Sequence, residues 1–448
     1  PTDLKQVDIM IAEALEDHPD SDTLRAAVVT HAEPKRVLAT LQSGEQLEIG
    51  PEGLKAVGKA LTDQASPKQQ IRRGAVIRVV QGSDDQWAVR QLPEVEGAFV
   101  SMDPRTGLIR AMVGGFDFER NKFNHVTQAW RQPGSSFKPF IYSAALEKGF
   151  TPATVVNDAP LFYNAGSTGS RAWEPKNYDG KFEGPMTLRR ALAKSKNMVS
   201  IRVLESVGTH YAQDWLTNFG FDAAKHLPYL PMALGAGSVT PLQMADGYAV
   251  FANGGYRVNP TLVLKVTDGR GHLLAQYRPN VLDESMRGIN ARNAFVMNSL
   301  LQEVARTGTA ARAQATLKRP DLYGKTGTTN DSMDAWFAGY HPSLVAVVWI
   351  GYDQPRKLGD RETGGGLALP VWIDYMATAL RNTPVTELSP PEGVVNIGGE
   401  WFYEEYTRSS GVRDVGLQSP DAEEGAPSAP SASEKSDILD MFGKPASE

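Results

Sequence analysis

The sequence predicts an α+β protein: an antiparallel sheet flanked by helices, preceded by a small β-rich domain. Three observations carry that expectation. Between about Leu24 and Leu92, five short β-prone runs (AAVVTHA, RVLATLQSG, QLEIG, AVIRVVQG and QWAVRQL) are separated by turn formers such as Ser43-Gly44 and Gly82-Ser83-Asp84-Asp85. From about 135 to 310, helix-like segments dominate. Strand-like runs bracket that helical region, AFVSM and LIRAMV before it and KTGTT, AWFAGY and SLVAVVWIGYD after it, which puts the first and last strands in one antiparallel sheet.

Taken in order, Leu4, Val7, Ile11 and Leu15 recur at helical spacing and mark a linker helix within residues 1–23, which ends in the acidic turn residues EDHPDSD. Residues 24–94 form the β-rich domain. Its single helix-like stretch, PEGLKAVGKAL, carries Pro51 near a first-turn position. Five strands and one helix suit a small barrel of the OB type, and other small β domains fit the same pattern. Residues 95–386 make the main domain, opening with a hairpin turned at Asp103-Pro104-Arg105-Thr106-Gly107. Beyond about Pro384 the order is expected to decay into an extension, 387–448. Residues 417–436 (LQSPDAEEGAPSAPSASEKS) cannot bury a core and are expected to be disordered. The closing DILDMFG is a short apolar island, either a plain tail or a docking peptide.

Composition narrows the chemistry. The 448 residues allow two to four domains at roughly 100–200 residues each. Acids outnumber bases 52 to 46, so the chain has no global attraction for phosphate backbones and nucleic acid is not an expected partner. Cysteine is absent, which excludes disulfides, thiolate nucleophiles and Cys-based metal sites and fits an oxidising compartment. The seven histidines are scattered, so a His-rich metal site is not expected. No run of about 18 apolar residues exists to span a membrane. The longest apolar run, LVAVVWIG, has strand length. The first residue is Pro1, so the sequence reads as a processed chain or a portion of a longer one.

Three short motifs in one order carry the functional signal. Ser135-Ser136-Phe137-Lys138 is the only Ser-x-x-Lys, Ser195-Lys196-Asn197 the only Ser-x-Asn, and Lys325-Thr326-Gly327-Thr328 contains the only Lys-Thr-Gly. Alone, each reads as an ordinary surface pair, a helix cap and a structural strand. Together, in this order, they point to serine acyl transfer. Ser135 and Lys138 share one helical face, and Pro139 is tolerated because it falls in the first turn. A serine hydroxyl needs a base, and Lys138 serves only when neutral. Burial and a cation nearby, supplied by Lys325, would bring its pKa from about 10.4 toward ~7–8. Ser195 is expected to relay protons and Asn197 to donate to a substrate amide. Lys325, Thr326 and Thr328 are expected to hold a substrate carboxylate, Gly327 to let its backbone approach, and the amides of Ser135 and Thr328 to form an oxyanion hole.

Other segments carry less. Arg105-Thr106-Gly107 and Arg306-Thr307-Gly308-Thr309 mimic the third motif but sit in a hairpin turn and ahead of a helical stretch. Gly324-Lys325-Thr326 lacks the glycine a phosphate loop needs at position 319, which is Arg. GAGS at 235–238 and Trp336-Phe337 read as packing near the cleft. Asp334 and 363–366 border it without an assigned role.

RQPGSSFKPF, KSKNMVSIR, ALGAGSVTPLQMADGYAVFANGG, GKTGTTNDSMDAWFAGY and TGGGLALPVW, with GAFVSMDPRTGLIRAMVGGFDF ahead of them, resemble the transpeptidase domain of class A penicillin-binding proteins over about 95–386. The preceding β-rich segment resembles the OB-like domain of type 1a members. The resemblance implies a bacterial cell-wall enzyme at the periplasmic face of the inner membrane. It would cleave the D-Ala-D-Ala end of a peptidoglycan stem peptide through an ester on Ser135 and cross-link the product to a neighbouring stem. It also implies acylation by β-lactams, no cofactor, and, in some proteobacteria, an outer-membrane lipoprotein activator at the OB-like domain. Class A members carry a glycosyltransferase domain and a membrane helix ahead of this region. Neither pattern is found in this sequence, so the expectation covers the transpeptidase half only. Two alternatives share the motifs. A serine β-lactamase of the commonest type needs a glutamate soon after the second motif, and none occurs from 206 to 283. A non-catalytic sensor or scaffold would be acylated without cross-linking.

Overall fold

The computed structural model describes residues 4–21, 23–164, 172–279, 281–407 and 410–417. The described residues divide into two compact units. One comprises residues up to Glu94 with Phe116–Lys122; the other holds Val95–Gly115 and the chain from Phe123 onward.

In the first unit, β1 (Arg25–Glu33), β2 (Arg36–Leu41), β3 (Gln46–Ile49), β4 (Val76–Gln81) and β5 (Trp87–Arg90) pair in the order β3-β2-β1-β4-β5. All pairs are antiparallel. The two end strands also approach each other, which curls the sheet toward a barrel. Alternating residues such as Val37, Ala39, Leu41, Ile49, Val79 and Val89 fill its interior. The five expected strands are all present. The expected helix is not continuous: an α turn at Pro51–Leu54 gives way to a 3-10 stretch at Lys55–Leu61. Gly53, Val57 and Gly58 are weak helix formers, which is reason enough for the looser winding. The helix Leu4–Glu16 rests Ile11 and Leu15 on Ala26 and Val28.

The second unit is built on a five-stranded antiparallel sheet ordered β12-β13-β14-β6-β7. Its strands are β6 (Glu96–Met102), β7 (Ile109–Val113), β12 (Tyr323–Thr328), β13 (Asp334–His341) and β14 (Leu344–Gly351). The first and last strand groups of the unit thus share one sheet, with β14 paired to β6 in register from Val345↔Met102 to Gly351↔Glu96. All of β13 is buried. Phe337 meets Trp372 of the helix Leu369–Ala379, whereas Tyr340 meets Tyr248 of the helix Pro241–Ala252. Residues 337 and 340 have opposite parity, so those helices cover opposite faces. A further helix, Lys138–Glu147, is buried from Lys138 to Leu146 and runs through an aromatic cluster of Phe137, Phe140, Phe219, Phe221, Tyr248 and Phe251.

Short strands that the sequence does not announce complete the unit. β8 (Val155–Asp158) pairs with β9 (Gly184–Thr187), β10 (Lys265–Thr267) with β11 (Leu273–Gln276), and β15 (Val394–Ile397) with β16 (Glu400–Tyr403). β17 (Asp414–Val415) joins the other edge of β8 in parallel. The expectation that order decays beyond about 384 is therefore wrong for 385–407 and 410–417. Tyr403 is buried there, Trp401 stacks edge-on against Phe295, and Arg189 pairs with Glu400. The Pro/Ser-rich stretch from 418 and the apolar island near 437–443 lie outside the described residues.

One buried ion pair ties the chain leading to Ser135 onto this sheet. Arg131 Nε donates to Asp334 Oδ1 at 2.7 Å, and Trp349 Nε1 donates to the same oxygen at 2.9 Å. Replacing Asp334 by Ala strands a buried guanidinium, and urea unfolding is expected to show a loss of roughly 3–5 kcal/mol. Asp334→Asn, which keeps an acceptor, is expected to lose less. A loss below about 1 kcal/mol in the alanine variant would contradict this account.

Candidate active site

The Ser135 turn and strand β12 are pressed together by glycines on both sides. Ser135 lies in a 3-10 turn, Gly134–Phe137, directly ahead of the helix that begins at Lys138. Gly134 has φ +55°, and a Cβ there would stand 2.7 Å from the Thr328 carbonyl oxygen. A Cβ on Gly327 would stand 2.5 Å from the Pro133 carbonyl oxygen. No side chain fits at either place, so this contact requires glycine. β12 is the edge strand of the sheet, and among the described residues one row of its backbone groups has no strand partner.

Ser195 is the C-cap of the helix Leu188–Lys194 and takes the left-handed conformation, φ 59° and ψ 39°. Asn197 then opens the helix Asn197–Val207. Ser195 and Lys196 are therefore a two-residue break between helices, with Ser195 on a backbone geometry that few non-glycine residues adopt.

Lys138 is fully buried, and its ammonium converges on this break. It donates to Ser195 O at 2.7 Å, to Asn197 Oδ1 at 2.7 Å and to Ser195 Oγ at 3.3 Å. Lys325, also fully buried, donates to Ser195 Oγ at 2.8 Å and to Thr326 O at 3.0 Å. Ser195 Oγ thus bridges two buried lysines. Burial, then the charge of Lys325, push the Lys138 pKa well below the usual lysine range, against an opposing pull from Asp158. Burial brings Lys325 down from 10.5 to about 7. Its burial makes Lys325 a titrating group and not the fixed cation that the motif predicts. When Lys138 loses a proton, two N–H groups can stay on its two short acceptors, and the lone pair is free to accept a proton.

The hydroxyls of the third motif are also partnered. Thr326 Oγ1 shares a hydrogen bond with Thr309 Oγ1 at 2.7 Å, and Thr328 Oγ1 accepts from Gly364 N at 3.1 Å. Either arrangement leaves a hydroxyl proton to offer to an anion. Asn197 Nδ2 donates to the Lys176 carbonyl at 2.7 Å, which leaves one amide hydrogen for a substrate.

The structure brings all three motifs together around Ser195. Gly235 packs against the Gly134 backbone, and Trp336 Nε1 holds the Gln132 carbonyl at 2.9 Å, so both segments support the Ser135 turn. Two neighbours of the site carry no role that the sequence announces. Thr309 belongs to a segment that only mimics the third motif, and its contact with Thr326 depends on the turn after the helix Ala291–Arg306. Gly364 lies in the segment 363–366 that borders the cleft. No local pattern distinguishes either; only the fold brings them to β12. Among the described residues, no group of three or more His, Asp or Glu is arranged to hold a metal ion.

Comparison with known proteins identifies the family. The family profile described as the penicillin binding protein transpeptidase domain matches residues 97–376, and that of the penicillin-binding protein OB-like domain matches residues 2–95. Penicillin-binding protein 1A of Neisseria flavescens is 48% identical over 390 residues, 87% of this chain and 49% of that protein. The crystal structure of penicillin-binding protein 1A from Haemophilus influenzae superposes with a TM-score of 0.82 at 33% identity, over 90% of this chain and 65% of the other. A Mycobacterium tuberculosis penicillin-binding protein solved with penicillin V gives 0.55 at 27% identity, over 69% and 83%. The chain spans about half the length of the curated relatives it matches. It belongs to the penicillin-binding protein transpeptidase family and carries that family's OB-like domain ahead of the transpeptidase fold.

Proposed function

We propose that this chain is the acyl-transfer portion of a peptidoglycan cross-linking enzyme, with Ser135 as nucleophile and Lys138 as its base. One observation carries the reading: a fully buried lysine, one helical turn from Ser135, joined through Ser195 Oγ to a second buried lysine on β12. Family membership and the penicillin V complex of the mycobacterial relative support it.

The steps follow from the donors in place. Ser135 Oγ attacks the carbonyl carbon of the D-Ala-D-Ala amide while its proton passes to neutral Lys138. The developing oxyanion lies between the Ser135 and Thr328 amides. The C–N bond then breaks, and the departing amine takes a proton from Lys138 by way of Ser195. D-Alanine leaves, and the stem peptide remains as an ester on Ser135. An amine from a neighbouring stem attacks that ester, gives up its proton through the same groups, and returns the Ser135 hydroxyl. Lys325, Thr326 and Thr328 hold the terminal carboxylate of the donor stem. In a β-lactam the broken amide leaves its amine tethered, so the ester persists. The substrate belongs to the periplasmic face of the inner membrane. Among the described residues no helix is long and apolar enough to cross a membrane.

Two outcomes are expected. Intact mass after treatment with a penicillin should show one adduct, absent in Ser135→Ala; a full adduct on that variant would refute the nucleophile. Rapid multiple turnover of nitrocefin would instead assign a β-lactamase. The second outcome concerns pH. The acylation rate constant should rise with pH as Lys138 loses its proton and fall again around pH 7 as Lys325 loses its own. Lys325→Gln should remove the falling limb. It should also move the rising limb to higher pH, because the Lys325 charge helps to lower the Lys138 pKa. The loss in rate should be about 10–100-fold, the usual worth of a hydrogen bond to a charged group. A pH profile identical to the parent's would contradict these roles.

A further inference from the structure

The mechanism just described, on which this inference rests, needs Ser195 and Asn197 held on Lys138, and it leaves the residue between them unused. Lys196 is 2% exposed, and its ammonium lies 3.0 Å from Asp179, 3.1 Å from Glu183 and 3.4 Å from Asp158. It also donates to the Lys181 carbonyl at 3.2 Å. Asp158, at the end of β8, is wholly buried and accepts from Asn177 Nδ2 at 2.7 Å and from Glu183 N at 2.9 Å. Asn177 Oδ1 accepts in turn from the backbone amide of Asn197 at 2.8 Å. Segment 176–183 is thereby stitched to the turn at 195–197, and one ammonium sits at the centre of the stitching.

We propose that Lys196 is a positioning residue: its ammonium gathers Asp158, Asp179 and Glu183 and so fixes segment 176–183 against the turn that aims Ser195 and Asn197 at Lys138. Its charge has a second effect. The carboxylate of Asp158 favours the protonated form of Lys138, and Lys196, the nearer cation to that carboxylate, offsets it. The charges bearing directly on Lys138 are Lys325 from β12 and Asp158 from β8, and Lys196 acts on it only through Asp158. Tyr142, one turn along its own helix, stays neutral because burial pushes its hydroxyl up. Around Lys196, burial opposes the charge, but the hydrogen bonds to Asp179 and Glu183 and the field of Asp158 outweigh it, so the residue stays protonated. Arg190 and Lys194 balance Glu183 from the outside at 2.8 and 2.7 Å.

The test measures acylation of Ser135 by a fluorescent penicillin across pH 5–10 in Lys196→Met, Lys196→Arg and Asp158→Asn, with thermal melting alongside. Lys196→Met should move the rising limb to higher pH by about one unit, the usual effect of one nearby charge, and slow acylation at neutral pH about tenfold. Lys196→Arg should restore the parent limb, and Asp158→Asn should move it to lower pH. A limb unmoved in Lys196→Met overturns the proposal whatever Asp158→Asn does, and so does a uniform loss of rate at every pH. If Lys196→Met does not fold, Lys196→Gln is measured in its place against the same two outcomes. No acylation of the unaltered chain would sink the acyl-transfer reading, and this proposal with it.

Discussion

A lysine ammonium placed out of water is the constraint around which this site is arranged. Lys138 has no exposed surface, so its charge must be balanced by oriented dipoles or given up. The dipoles come from Ser195 O and Asn197 Oδ1, both at 2.7 Å. The pressure to give up the charge comes from burial and from Lys325. Ser195 lies between the two lysines because its left-handed backbone turns both its carbonyl and its hydroxyl toward Lys138. The helices before and after it, the glycine contacts at 134 and 327, and the Arg131–Asp334 pair all serve to keep that arrangement closed.

The arrangement works against stability. Lys325 has a pKa of about 7 when folded and the ordinary value of 10.5 when unfolded, and Lys138 is shifted in the same direction. Between pH 7 and 10.5 the unfolded chain binds more protons, so these two residues make stability rise with pH across that window. Below it both states are protonated at Lys325 and the cost of burial is borne in full. Sites that need a neutral amine commonly carry such a cost, which the rest of the fold offsets. Here the aromatic cluster around Phe140 and the continuously buried β13 are the obvious sources.

Much of this was legible in the sequence because it rests on local pattern. The five runs of the OB-like unit are β-prone and divided by turn formers. Strands at both ends of the helical region announced the shared sheet, and the motif order placed Ser135, Ser195 and Lys325 in one site. What was not legible depends on pairing across long separations. β8 and β17 are short, and nothing in their own sequence marks them; they are strands because 155–158 meet 184–187 and 155–156 meet 414–415. Thr309 resembles the third motif by accident of composition, yet its contact with Thr326 comes from the fold. Lys196 looked like the variable middle of a motif. Its burial among three carboxylates, two of them from a loop more than ten residues earlier, leaves no trace in spacing.

The neutral amine at position 138 is the claim on which the rest depends, and it can be read without any substrate. Titration of lysine side chains by heteronuclear NMR, with the Lys138 signal assigned by its loss in Lys138→Arg, measures that proton directly. The expected midpoint lies well below the ordinary lysine value of about 10.4 and moves upward when Lys325 is replaced by Gln. A Lys138 signal that titrates near 10.4, whatever occupies position 325, would contradict it.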